Sequence, residues 1–447
     1  MKSNEGWLNI IPQDKVPNME KVTTSTQYRL AGIIFIAQSL FSASFITAFV
    51  LTPIIAVALS GSESQAGVPN TIVLVGRALL AYPFGLLMDK LGRRVALSTG
   101  YFGFVLGGIV AVIAIVTQSY MLFLVASFLI GVSRTAGDQS RFIVAEIFPI
   151  NRRATVIGAI VFAGTVGSVL GPNLVPVSRR WVQTFGISPD AGPFVVAAIM
   201  MAVATLVTFL FLRPDPREIG ERIAAEEVAE NPDSIESNSV ARSWQEIFSQ
   251  PMVQLAVLSM TLGYFVMTLV MVITSVHMQS GLDLGLNADQ MAASVARVIM
   301  FHTLGMFGIS IFSGFLIDKV GRLNMILAGA VVLALSTVVS AFATNVVLLA
   351  FGLFLLGLGW NFAFVAGSSL LSNSLAQSER GQMQGIAETF VSLAAGAASL
   401  SVGWLFQMGG YNLINTIGFV FSAILLIAVL YLPRQAKKQQ QLAMSGD

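Results

Sequence analysis

The chain has 447 residues, of which 55% are hydrophobic and only 11% charged, with a mean hydropathy of +0.78. A soluble core of this size carries roughly twice that charged fraction, so a water-soluble enzyme is excluded; the formal net charge of +2 says little by itself, and where the charges sit says more. The absence of cysteine excludes disulfides and thiolate metal sites; metal chemistry would have only His, Met and oxygen ligands to use.

In chain order, residues 1–28 are polar, carry Pro12 and Pro17, and predict an N-terminal tail. The apolar run Leu30 to Leu59 is too long for a signal peptide and reads as the first membrane helix. Runs able to cross about 30 Å of hydrocarbon then predict twelve membrane helices, near 30–57, 71–88, 95–116, 121–145, 154–175, 192–212, 252–276, 297–317, 323–343, 346–372, 383–407 and 411–432. The strongest break is 213–250, which opens with Arg213-Pro214-Asp215-Pro216 and turns acidic and polar from Glu221 to Ser239. It predicts a solvated linker between two six-helix halves, 29–212 and 251–433, with a C-terminal tail at 434–447. The expected fold class is an all-α polytopic membrane protein of two six-helix bundles.

Orientation follows from Lys and Arg in the short loops. One side holds Lys90, Arg93, Arg94, Arg152, Arg153, Arg213, Arg217, Lys319, Arg322, Arg380, Arg434, Lys437 and Lys438; the other holds Arg179, Arg180 and Arg297. The first side is therefore expected to be cytoplasmic together with both termini, in a plasma membrane such as the bacterial inner membrane. The basic loop 176–191 is the exception, and an interfacial helix is its simplest reading.

The most specific signal is internal. Gly85-Leu86-Leu87-Met88-Asp89-Lys90-Leu91-Gly92-Arg93-Arg94 returns as Gly314-Phe315-Leu316-Ile317-Asp318-Lys319-Val320-Gly321-Arg322-Leu323, about half a chain later. Weaker echoes agree: Phe128-Leu129-Ile130-Gly131 matches Phe354-Leu355-Leu356-Gly357, and Arg153…Gly158 matches Arg380…Gly385. The hairpin has a physical logic. Gly85 and Gly314 are expected to admit a neighbouring helix. Asp89 and Asp318 can face a helix N-terminus or an arginine, and Arg93 and Arg322 belong in an anionic headgroup layer.

Two pseudo-symmetric six-helix halves with this repeated hairpin resemble the major facilitator superfamily over about residues 29–433. The resemblance implies a secondary transporter working by alternating access, with Gly85, Asp89, Arg93, Gly314, Asp318 and Arg322 forming a latch between the halves in one state. In the fifth helix, Gly158, Gly167, Gly171 and Pro172 look like the family's antiporter motif, but Val175-Pro176 stands where its closing Gly-Gly belongs. Close packing is the preferred reading of those glycines.

Ionisable residues inside a membrane are costly and mark function. Arg77 lies in the second helix; Arg134, Asp138 and Arg141 share one face of the fourth and can pair. They are read either as a coupling group or as a structural cluster lining the cavity. Glu388, in the eleventh helix, reads as a gate or a partner of the Arg93 hairpin, and Trp360 and Asn361 as cavity lining.

A softer constellation lies in the second half. Met267-x-x-x-Met271 and His302-x-x-x-Met306 are i, i+4 pairs on successive helices. With outer edges near Val276 and Arg297, Met271 and His302 share a rung roughly 7–8 Å deep, and Met267 and Met306 a second roughly 13–14 Å deep. Neutral sulfur and imidazole ligands select Cu(I); adaptable core filler is the alternative. The four residues, with Gly357-Leu358-Gly359-Trp360-Asn361-Phe362, resemble the CcoA-type copper importers of this superfamily, a branch close to riboflavin and other small-molecule permeases. That resemblance implies copper as an imported substrate, with no permanently bound cofactor. The alternative is a proton-coupled transporter of a small organic solute, such as a vitamin or drug-like compound, using Asp138 or Glu388. A non-transporting sensor is disfavoured by the intact hairpin in both halves. His277-Met278 reads as an interfacial pair or a capture point. No nucleotide-binding loop is present, so ATP-driven pumping and enzymatic activity are not expected. The partners expected are the lipid bilayer and the solute or metal ion, with no nucleic acid, and the protein is expected to act as a monomer.

Overall fold

A computed structural model describes residues 23–230, 243–282, 284–375 and 377–445. Its elements are helices α1 Thr24–Ser60, α2 Val68–Leu91, α3 Arg93–Val116, α4 Tyr120–Glu146, α5 Ile150–Gln183, α6 Gly192–Phe211, α7 Pro216–Glu230, α8 Trp244–Phe248, α9 Pro251–Val276, α10 Ala288–Thr303, α11 Ser310–Val320, α12 Arg322–Ala341, α13 Val346–Asn373 and α14 Gln377–Ser445. Helices dominate because a bilayer offers backbone groups no partner but each other. Ten helices are long and apolar enough to cross a membrane. Counting the bent pair Glu63–Leu91 as one crossing, and α14, broken at Gly409 and Gly410, as two, the described residues supply twelve. α10, its π turn Leu304–Gly308 and α11 make one broken crossing.

Helical periodicity places the faces. On α3, Phe102, Leu106, Ile109 and Ile113 are exposed in a stripe, while Tyr101, Phe104 and Ala111 are buried. The exposed stripe is the surface that lipid covers. The internal repeat also has a packing cause. A Cβ on Gly131 would overlap the Val73 carbonyl where α4 crosses α2, and a Cβ on Gly357 would overlap the His302 carbonyl where α13 crosses α10. The two matched glycines therefore serve the same crossing in each half.

The two hairpin turns match in backbone as well. Gly92 has φ 85° and ψ 167°, Gly321 φ 91° and ψ 152°, a region that side chains disfavour. Gly85 and Gly314 differ from expectation: a Cβ on either would meet nothing within 4 Å, so no helix packs on them in this conformation. α3 begins without a cap of its own, and Asp215 supplies one. Its carboxylate accepts from the backbone N–H groups of Arg93 and Arg94, 3.0 Å each, offsetting orphan donors at a positive dipole end. Replacing Asp215 with Ala is expected to cost about 1–2 kcal/mol and to lower the thermal midpoint of the detergent-solubilised protein; an unchanged midpoint overturns that cap.

Several boundaries differ from the sequence reading. α1 starts at Thr24, so the expected tail is shorter than 1–28. The stretch 213–250 is not only solvated: α7 buries Ile219 and Ile223, and Gly220 packs on Glu146 of α4. Residues 231–242 lie outside the described part. α14 continues as helix through the tail predicted at 434–447 as far as Ser445. α5 runs to Gln183, so the basic loop 176–191 is mostly helix, and Arg179 is buried at its end. α10 starts at Ala288, which puts Arg297 three turns inside a helix rather than at its edge. Polar residues hid that start: Asn287 and Gln290 form a capping box inside a segment that reads as loop by hydropathy.

Candidate functional site

A cavity of about 280 Å³ lies between the halves, lined from both. α1 contributes an aromatic ladder. Phe41 and Phe45 stack with centroids 6.3 Å apart, and Phe45 and Phe49 6.1 Å apart, because spacing by four puts them on one face. Tyr264 from α9 and Phe307 from the π turn complete the apolar wall. Arg134, Asp138 and Arg141 also line it, all on the cavity face of α4 as their spacing predicts.

Their pairing differs from expectation. Asp138 is bound not by its neighbours on α4 but by Arg77 of α2, whose Nε stands 2.7 Å from Oδ2. Arg134 lies over the Phe45 ring at 4.2 Å and Arg141 over Phe142 at 4.8 Å. The Nε atoms of Arg134 and Arg141 are buried without a hydrogen-bond partner among the described residues. The polar wall thus holds two guanidiniums short of acceptors. Glu388 has no ion pair with the hairpin among the described residues, while Arg93 pairs with Asp89 at 2.9 Å and Glu146 at 3.0 Å.

On one face of the cavity the two halves are bonded to each other. Opposite the hairpins, Asn70 donates to Ser399 at 2.9 Å, Ser399 donates to the Gly67 carbonyl at 2.8 Å, and Gln407 donates to Ser62 at 3.2 Å. Arg179, buried at the end of α5, is held by Asp190 of its own half and by Asp289 of the other, the latter at 3.3 Å. Midway, Asn173 donates to the Met300 sulfur at 3.4 Å. These hydrogen bonds and the Arg179–Asp289 ion pair join the halves on this face or midway rather than at the hairpins.

A profile of the Major Facilitator Superfamily matches residues 34–308 and 281–446. The chain belongs to the major facilitator superfamily. It is accordingly a multi-pass membrane transporter and not an enzyme. The chain is 30% identical over 406 residues to the MFS-type transporter YdeG of Bacillus subtilis (strain 168), covering 90% of this chain and 91% of that one. It is 26% identical over 398 residues to the riboflavin transporter RfnT of Brucella anthropi, covering 89% and 94%. Among solved structures, the nucleoside transporter NupG superposes with a TM-score of 0.69 at 15% identity over 91% of this chain and 99% of that one. The xylose transporter XylE from E. coli superposes with a TM-score of 0.66 at 13% identity over 92% and 98%. These likenesses show the fold.

The transporter brings only part of the predicted soft site together. Met267, Met271 and Met306 line the cavity; His302 does not. Its ring is fully buried, with Nδ1 2.9 Å from the Leu353 carbonyl of α13 and Nε2 unpartnered. The cavity face of α10 carries Ile299 and Thr303 instead. Ile299 and Thr303 stand four residues apart and share the cavity face, so His302, one residue before Thr303, is turned about 100° from it toward α13.

Trp360 and Asn361 also leave the lining. Trp360 is buried against Phe364, Tyr264 and Phe307, and Asn361 is 1% exposed and bonded to α10–α11. Arg322 donates to Ser369 of its own half at 2.9 Å, and Asp89 is largely exposed, so the latch residues do not cross between halves here; the Asp318 side chain lies outside the described part. Gly167 and Gly171 of α5 pack on Ser42 and Ala43 of α1, while nothing approaches Gly158: two of the three predicted glycines serve close packing. His277 stacks on Tyr411 at 4.1 Å, and Met278 is buried.

Sequence reasoning missed the aromatic wall, although Phe41-x-x-x-Phe45-x-x-x-Phe49 is visible as a regular spacing. Gln38, Asn70 and Tyr264 carried no signal of their own, since single polar residues in apolar helices reveal their facing only once helices are packed.

Proposed function

We propose that the transporter carries a small planar organic solute by alternating access, with the ring against Phe41, Phe45, Tyr264 and Phe307 and an anionic or acceptor-rich edge on Arg134 and Arg141. The observation that carries this reading is the pair of buried guanidinium Nε atoms without acceptors, beside an aromatic ladder, in a cavity built from both halves. A heteroaromatic vitamin has that chemistry, and the name of the relative in Brucella anthropi makes riboflavin the first probe. We place the hairpin face in the cytoplasm, supported by its excess of Lys and Arg, and assign Asp138, with Arg77, as the proton-coupling pair.

Copper import is the second reading, favoured by three thioethers on one cavity wall. It has lost its imidazole to the neighbouring helix, so only Met267, Met271 and Met306 remain as ligands from that set.

The test is uptake of labelled riboflavin into proteoliposomes, beside a panel of aromatic anions and beside copper content of expressing cells. Arg134→Gln removes a charged donor, a contact of about 1.5–3 kcal/mol, so the KM of the transported solute is expected to rise about ten- to a hundredfold. An unchanged KM, or copper accumulation without uptake of any aromatic solute, overturns the reading.

A further inference from the structure

The crossing that carries Met306 and Phe307 into the cavity is broken where they stand, and one side chain occupies the break. Through the π turn Leu304–Gly308 the regular hydrogen-bond ladder is interrupted. The Met306 carbonyl accepts from the Asn361 side-chain amide at 2.7 Å and from the Ser310 hydroxyl at 3.1 Å. The same amide donates to the Ser310 oxygen at 2.8 Å, and the Asn361 carbonyl oxygen accepts from Ser313. All the polar capacity of a side chain only 1% exposed is thus spent on one turn of another helix. Buried amides are placed this way only where each bond is satisfied.

The neighbouring backbone packs closely on the turn. A Cβ on Gly305 would overlap the Phe354 carbonyl, so α13 touches the turn backbone to backbone one step from Asn361. On the cavity side, Phe307 lies against Gly164 of α5, its ring 3.6 Å from where a Cβ would stand. The turn is therefore clamped by α13 behind and reaches the other half in front.

We infer that Asn361 is a positioning residue: its amide holds the π register that turns Met306 and Phe307 toward the cavity. Without it the segment relaxes toward a regular helix, and the part of the crossing on one side of the turn rotates by about 100° relative to the other for the residue of register absorbed, moving Met306 and Phe307 with it. The relaxation is open to the chain because Ser310 and Ser313 already bond the carbonyls four residues back and keep partners when the amide is gone. The inference rests on the cavity as the substrate site, and it adds that the shape of its wall is set from behind.

The chain has no cysteine, so single thiols report without background. Met306→Cys and Thr268→Cys both place a thiol on the cavity wall, the second on α9, away from the turn. Labelling with a small maleimide in inside-out vesicles is compared with and without Asn361→Leu. Expected is a more than tenfold slower reaction at position 306 and an unchanged rate at 268, with Asn361→Ser, too short to reach the Met306 carbonyl, behaving the same way. Equal rates at 306 in all three backgrounds overturn the inference. So does a loss at both positions, since the amide would then hold the bundle rather than the turn. The labelling uses no substrate, so a shift at 306 stands even if wild-type protein fails to take up riboflavin.

Discussion

Gly67→Val is expected to trap the transporter with its bonded face open, folded but nearly inactive. Gly67 caps the start of α2 at φ −89° and ψ −13°, where any residue is comfortable. Its obstacle is entirely in the other half: a Cβ would overlap the Ser399 carbonyl and stand 3.0 Å from Val402. A backbone carbonyl in a helix cannot yield as a flexible side chain would. Overpacking of this kind costs about 1–3 kcal/mol, which shifts a two-state equilibrium up to about a hundredfold. The penalty falls only on the conformation in which α2 and α14 meet, so each half keeps its own packing. In Leu74→Cys protein, whose new thiol lines the cavity, an impermeant reagent applied from the face opposite the hairpins is expected to react only when Gly67→Val is also present. A folded variant that stays unreactive from that face, or one that transports at the parent rate, contradicts the role of this contact.

Asp138→Asn is expected to lower membrane abundance, and Arg77→Gln to restore it. Asp138 is the carboxylate among four ionisable groups gathered around the first-half wall, and Arg77 is bound to it at 2.7 Å. Removing its charge leaves Arg77, Arg134 and Arg141 facing one another. The Arg77 and Asp138 side chains are part-exposed, 23% and 33%, so the cost lies between the exposed and buried limits, about 1–3 kcal/mol. The double variant Arg77→Gln, Asp138→Asn removes both charges and the repulsion together. Its abundance and melting temperature are expected near the parent values, while the dependence of transport on pH is lost. If the double variant is no more abundant than Asp138→Asn, the pair does not balance charge; if it keeps the parent pH-dependence, Asp138 is not the coupling group.

The fold was legible in the sequence because its main signals are local. Apolar runs give crossings, and the repeated Asp-Lys-x-Gly-Arg hairpins give the duplication, with Gly92 and Gly321 in the same turn. The arginine–aspartate face of α4 was legible too, since residues 134, 138 and 141 share a side at 3.6 residues per turn. What failed was anything that depends on a neighbour. The partner of Asp138 lies 61 residues away on α2, and no spacing within α4 points to it. His302 was misplaced because its facing is settled by α13, whose Leu353 carbonyl its ring meets, and no spacing within α10 points to that partner. The start of α10 was lost because its first turns are polar, and hydropathy finds membrane depth rather than helix ends. Asn361 itself was taken for lining because a polar residue in a membrane helix turns either to a cavity or to another helix's exposed backbone, and its own sequence does not distinguish these.

The Arg179 clasp has an electrical consequence. Its guanidinium is buried, but Asp190 and Asp289 are 43% and 45% exposed, so their charges meet the ions of the surrounding medium. At physiological ionic strength charge is felt over about 8 Å, and at 1 M salt over about 3 Å. Concentrated salt on that face therefore weakens the one clasp that joins the halves there by charge among the described residues, while the neutral Asn70–Ser399 bond beside it is untouched. The balance between the two kinds of contact sets how strongly the transporter's resting conformation responds to the salinity of the medium it faces.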